Sequence, residues 1–102
     1  MKNEYEHIIK MENIMVEQEK IVKENEIKLN EINNKLSEFD KLYEYYYSEQ
    51  RSVDLDDDEN HLIPGDINRG VLSEDEIYNL ILDYKSLALN MIETGLDILK
   101  RI

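Results

Sequence analysis

The sequence predicts an all-α protein: a long-helix hairpin or small helical bundle, with a coiled-coil-like first helix and a structured acidic connector. Three observations carry this. Apolar residues recur at alternating steps of three and four through the first half of the chain. Gly is 3 and Pro is 1 in 102 residues, so little interrupts a helix. A capping box at Ser73 marks the start of a second helix. At this length one domain, 1–102, is expected, with helices over about 3–47 and 74–101 and a connector over 48–72.

The first helix is read from Ile8, Met11, Met15, Gln18, Val22, Asn25, Leu29, Ile32, Leu36, Phe39, Tyr43 and Tyr46. This is the heptad seam of a coiled coil, and only Gln18 and Asn25 in it are polar. Polar seam residues fix register at a cost in stability. Ile14 and Ile21 widen the seam on one flank, and Glu12, Glu19 and Glu26 line the other. At helical rise the segment spans about 65 Å.

The connector begins with Ser48-Glu49-Gln50-Arg51-Ser52, enough for a helical turn, and continues into a nearly pure acidic run, Asp54 to Glu59. Leu62-Ile63-Pro64-Gly65-Asp66 reads as a turn, since Pro presets φ and Gly tolerates positive φ. The segment is long for a loop in so small a domain.

The second helix has a defined start. Ser73 is the N-cap and Glu76 stands three residues later; Leu72 and Ile77 are placed for a hydrophobic staple. Glu74 and Asp75 suit the positive end of the helix dipole, and Lys100 and Arg101 the negative end. Ile77, Ile81, Tyr84, Ala88, Met91, Gly95 and Ile98 form one apolar stripe, and Tyr78, Leu82, Leu89 and Leu96 a second. A two-helix hairpin covers one stripe and not both. The helices also differ in length by about 25 Å. Both features predict a homodimer.

Charge and composition exclude several functions. Net charge is −12, so direct binding to nucleic acid or an anionic membrane is disfavoured, and a protein partner with a basic or apolar groove is expected. Cysteine is absent, which rules out disulfides and thiolate metal sites. No apolar run is long enough to span a bilayer, and the first residues lack a signal-like apolar core, so a cytoplasmic location is expected. The abundance of Lys, Glu, Asn and Ile suggests an AT-rich bacterial or phage genome.

Asp54, Asp56, Asp58 and Asn60 begin a calcium-loop pattern, but Glu59 stands where it needs Gly and Gly65 where it needs Glu. His7 and His61 have no second ligand at metal spacing. No nucleophile elbow or phosphate loop is present. The sequence therefore predicts no catalytic residue, no metal site and no cofactor. The candidate partner contacts are Tyr45, Tyr47, Asp54, Asp56, Asp57, Asp58, Glu59 and Leu89. Tyr43 and Tyr46 belong to the seam and are expected in the core. Tyr45 and Tyr47 point elsewhere, either packing under the connector or anchoring an interface.

Tyr46-Tyr47-Ser48-Glu49, Asp58-Glu59, Ile63-Pro64 and Gly70-Val71-Leu72-Ser73-Glu74-Asp75, followed by Ile77-Tyr78-Asn79-Leu80, resemble a bacterial family known as domain of unknown function 4298. The resemblance covers most of the chain and is specific across the connector and the second helix start. The family pattern carries an aromatic, usually Trp, near Arg51, where this chain has arginine. The resemblance implies a small helical protein of bacteria and mobile elements, with the connector part of the domain. It implies no activity, cofactor or catalytic residue.

Two functional expectations follow. The first is a small acidic protein-binding module, adaptor or regulatory, without catalysis. The second is a phage or mobile-element inhibitor of the anti-CRISPR or anti-restriction type, which mimics nucleic acid in a basic groove.

Overall fold

The computed structural model describes residues 4–102. The chain is all-α, in the order α1 (Glu6–Tyr46), α2 (Glu49–Glu59), a 3₁₀ turn (Gly70–Leu72) and α3 (Glu76–Arg101). The expected start at residue 3 lies outside the described residues. Two compact units are present, one ending at Phe39 and the other spanning Asp40–Ile102. Among the described residues no helix is long and apolar enough to cross a membrane.

The first unit holds α1 as far as Phe39, with the helix's own side-chain pairs. No α1 side chain is buried. Lys20–Glu24, Lys28–Glu31 and Lys35–Glu38 pair at 3.9, 3.3 and 3.4 Å. These are exposed one-turn pairs, each worth about 0.2–0.5 kcal/mol. Asn25 donates Nδ2–H to the Ile21 carbonyl, 2.8 Å away. A helix held only by such terms is marginal in water, because most helix stability comes from packing an apolar face.

The second unit is built around the connector. Tyr47 and Ser48 alone separate α1 from α2. Ser48 has extended backbone, and its Oγ accepts the Arg51 N–H at 3.1 Å, which caps α2. The acidic run expected in a loop is therefore helical, with Asp54, Asp56, Asp57, Asp58 and Glu59 all on α2. The cap, with Glu49 in the first turn, nucleates the helix; the cost of clustered carboxylates toward its C-terminal end does not prevent it.

His61 ends α2 in the left-handed conformation, φ 59°. Its N–H reaches the Asp58 carbonyl at 3.1 Å, and the Leu62 N–H reaches the Asp57 carbonyl at 2.9 Å. These two bonds make a Schellman motif, with His61 at the position that favours glycine. A turn follows, closed by the Ile67 N–H on the Pro64 carbonyl at 3.1 Å.

The 3₁₀ turn packs against both α2 and α3. α3 starts at Glu76, two residues later than the sequence predicts, so Asp75 and not Ser73 stands at the N-cap position and makes no side-chain cap bond; the Glu76 N–H is instead satisfied from one turn back, where Ser73 Oγ accepts it at 3.1 Å. The other half of the capping box is not made. The Ser73 N–H bonds the Gly70 carbonyl at 3.0 Å, and the Glu76 carboxylate lies against Gly70, where an added Cβ would strike it. Ile77, the expected staple residue, is 4% exposed and is the single buried hydrophobic side chain among the described residues.

Candidate functional site

The surface that the sequence singles out lies where the end of α1 meets α2. A helix turns about 100° per residue, so consecutive tyrosines on α1 must diverge, and they do. Tyr45 turns toward α2, and its hydroxyl donates to Asp54 Oδ2 at 2.5 Å. Burial first, and then the bonded carboxylate, push the Tyr45 hydroxyl up to about 12. Asp54 is held below the usual carboxylate range, mainly by the Tyr45 bond and then by Gln50, whose Nε2 donates at 2.9 Å.

Tyr46 turns the other way and is half-buried. The Arg51 guanidinium lies over its ring, 4.9 Å from the centroid. Tyr47 meets the Tyr46 ring edge-on at 4.8 Å and the Tyr43 ring, tilted, at 5.2 Å. Tyr47 is 68% exposed. Its hydroxyl is raised above the ordinary phenol value, first by its side-chain hydrogen bond with Tyr43 and, further down, by the nearby Tyr46 and Tyr78. The result is an exposed tyrosine ledge of Tyr43 and Tyr47, backed by Tyr46 and Arg51. Aromatic pairs of this kind gain about 0.5–1.5 kcal/mol beyond area burial.

Arg51 ties the ledge to the rest of the unit. Nε donates to the Val71 carbonyl at 3.2 Å and Nη2 to the Ser73 carbonyl at 3.1 Å. One guanidinium thus holds a ring on α1, the 3₁₀ turn and the residue whose hydroxyl accepts the Glu76 N–H at the start of α3. A planar five-donor group suits this; an ammonium does not.

The eight residues marked in the sequence do not form one site. Tyr45 packs against α2 through Asp54, while Tyr47 stays exposed. Asp54 is committed to Tyr45 and Gln50, and Asp58 to Arg69 at 2.9 Å. Asp56 and Glu59 are exposed and Asp57 is half-buried. Leu89 is 53% exposed on α3, about 16 Å along the helix axis from Tyr78. Tyr43, expected in the core, is exposed. Arg51 was not marked; a lone Arg followed by an acidic run was the available signal for it. Among the described residues no three His, Asp or Glu side chains are placed to hold a metal ion.

α3 also exposes apolar side chains. The second stripe, Tyr78, Leu82, Leu89 and Leu96, is exposed throughout; of the first, Met91 and Ile98 are exposed, and Ile92 beside them is 67% exposed. Only Ile77 is buried, while Ile81, Tyr84 and Gly95 are half-buried.

No curated protein and no solved structure matches the chain. A family model does match, over residues 8–94, which takes in most of α1, the whole connector and most of α3. The chain therefore belongs to the family described as Domain of unknown function (DUF4298).

Proposed function

We propose that this chain is a small acidic protein-binding module, adaptor or regulatory, that acts in the cytoplasm without catalysis and self-associates as a homodimer. One observation carries the reading. Ile77 is the single buried hydrophobic side chain among the described residues, while Tyr43, Tyr47 and the second stripe of α3, Tyr78, Leu82, Leu89 and Leu96, are exposed. Contiguous exposed apolar surface rimmed by charge marks interaction sites, and tyrosine-rich patches supply their anchors. The net charge of −12 favours a partner with basic residues around an apolar groove.

The test is capture from bacterial lysate with the intact protein and two variants, identified by mass spectrometry. The first variant is Tyr47→Ala with Leu89→Ala. The second neutralises the connector acids, Asp54, Asp56, Asp57 and Asp58 to Asn and Glu59 to Gln. A binding module loses its partner with the first variant and only associates more slowly with the second. The nucleic-acid-mimic reading requires the reverse, with steep loss of binding as salt rises and displacement of the partner's DNA or RNA. The engagement of Asp54 with Tyr45 and of Asp58 with Arg69 favours the first reading, because those carboxylates already have work inside the chain.

A further inference from the structure

The seam of α1 offers an interaction surface whose chemistry selects one occupant. We infer that α1 is the dimer interface of this protein, pairing with α1 of a second copy as a parallel, in-register coiled coil set by Gln18 and Asn25. This deepens the homodimer part of the reading above and rests on it.

The seam places Ile8, Met15, Val22, Leu29 and Leu36 at the first heptad position, a, and Met11, Gln18, Asn25, Ile32 and Phe39 at the fourth, d. The a residues are all exposed, and no side chain of the helix is buried. Met15, Gln18, Glu19 and Val22 line an open groove, with Lys23 and Glu26 at its edge. An a, d, e and following a residue form the four-sided hole that receives a d knob from a parallel partner. The groove is such a hole, and the matching knob is Gln18 of the second copy.

Two features of the seam fix the direction. Both polar residues sit at d, and every a residue is apolar or aromatic. In a parallel pair d layers face d layers, so Gln18 meets Gln18 and Asn25 meets Asn25, each amide offering a donor and an acceptor. Asn25 spends one N–H on the Ile21 carbonyl, which leaves its Oδ1 and second N–H for the other strand. In an antiparallel pair a layers face d layers. Both amides would then be buried against apolar side chains without a partner, an unfavourable arrangement.

The flanks give the same answer. Position e carries Glu12, Glu19, Glu26, Asn33 and Asp40; position g carries His7, Ile14, Ile21, Lys28 and Lys35. Parallel strands bring g against e of the next heptad, so Lys35 faces Asp40, Lys28 faces Asn33 and His7 faces Glu12. Antiparallel strands bring e against e and g against g, which sets acid on acid along the e row and leaves the g-row lysines facing isoleucine or His7, without an acidic partner. Such pairs choose the partner orientation more than they add stability.

The chain has no cysteine, so single substitutions report orientation directly. Met15→Cys (a) and Ile32→Cys (d), which face one another only across an antiparallel pair, are made in the full-length protein, with Ser37→Cys on the outer face as control. Under mild oxidation each of the first two should cross-link to its own copy, the control should not, and a mixture of the two should give no Met15–Ile32 cross-link. Light scattering should give twice 12.2 kDa. A mixed cross-link, a clean 12.2 kDa species at tens of micromolar, or a mass of three or more copies would overturn the inference.

A second variant separates orientation from mere stickiness. Gln18→Leu with Asn25→Leu should tighten association by about tenfold or more and let the mixed cross-link appear, since a polar layer exchanges stability for specificity. Persistence of the strictly parallel pattern would show that the amides do not set it and would overturn the proposal. A monomer that still captures a foreign protein through Tyr47 and Leu89 would sink the α1 dimer and leave the binding module standing. A parallel dimer that captures nothing would do the opposite.

Discussion

Arg51 Nη2 lies 3.1 Å from the carbonyl oxygen of Ser73, a residue 22 positions further along the chain whose own hydroxyl accepts the Glu76 N–H at the start of α3. The helix start and the connector are therefore coupled through one backbone carbonyl. All tyrosines except Tyr5 fall in residues 40–102, so tyrosine fluorescence and near-ultraviolet circular dichroism follow this unit.

Arg51→Ala should destabilise the second unit by about 1.5–3 kcal/mol, because two charge-assisted bonds and a ring contact go together. Arg51→Lys should recover less than half of this, since an ammonium cannot span two carbonyls while covering the Tyr46 ring. Urea titrations followed by tyrosine fluorescence give both values. Equal stability of the lysine variant and the native chain would show that charge alone matters.

Tyr45→Phe should cost about 1 kcal/mol at neutral pH, after allowance for a partly exposed site. The effect depends on pH in a stated direction. The Tyr45 hydroxyl is raised to about 12 in the folded chain from 10.0, so its contribution is complete below pH 10 and is lost as pH rises toward 12. Asp54 is lowered from 3.8, so its contribution is present above that value and is lost as pH falls through its depressed folded value. The stability gap between native chain and variant should close at both ends. A gap that stays constant from pH 3 to 11 would show that the Tyr45–Asp54 bond is not formed in solution.

Ser73→Ala should cost about 1 kcal/mol by leaving the Glu76 N–H without its acceptor. The Arg51 contact uses the backbone carbonyl of the same residue and survives the substitution. Its effect should therefore add to that of Arg51→Lys. An unchanged urea midpoint would mean that α3 does not depend on this bond.

His61→Gly should stabilise the unit by about 1 kcal/mol, because glycine adopts φ of 59° without the steric cost of a Cβ. His61→Val should destabilise it by more than this, since a β-branched side chain is poorly accommodated there. A lower melting temperature for the glycine variant would point to a contact of the imidazole that outweighs the backbone gain.

Much of the fold is legible in the order of residues. The alternating three and four spacing from Ile8 to Tyr46 gives α1, because a helix places those positions on one face whatever surrounds it. Ser73 and Glu76 locate the start of α3 to within two residues, because their bond joins near neighbours. These are local rules, and local sequence suffices for them.

The tertiary structure decided the rest. The acidic run could have been a loop; Ser48 starts it as a helix, and Tyr45 and Arg69, reaching from outside α2, hold its Asp54 and Asp58 carboxylates. Arg51 is one cation on a charged chain until its two carbonyl acceptors, 20 and 22 residues away, come into reach. Periodicity marked both stripes of α3 as apolar but could not tell covered from open, and only Ile77 is buried. Spacing along a chain fixes which residues share a face, whereas burial and long-range hydrogen bonds depend on what the fold brings against that face.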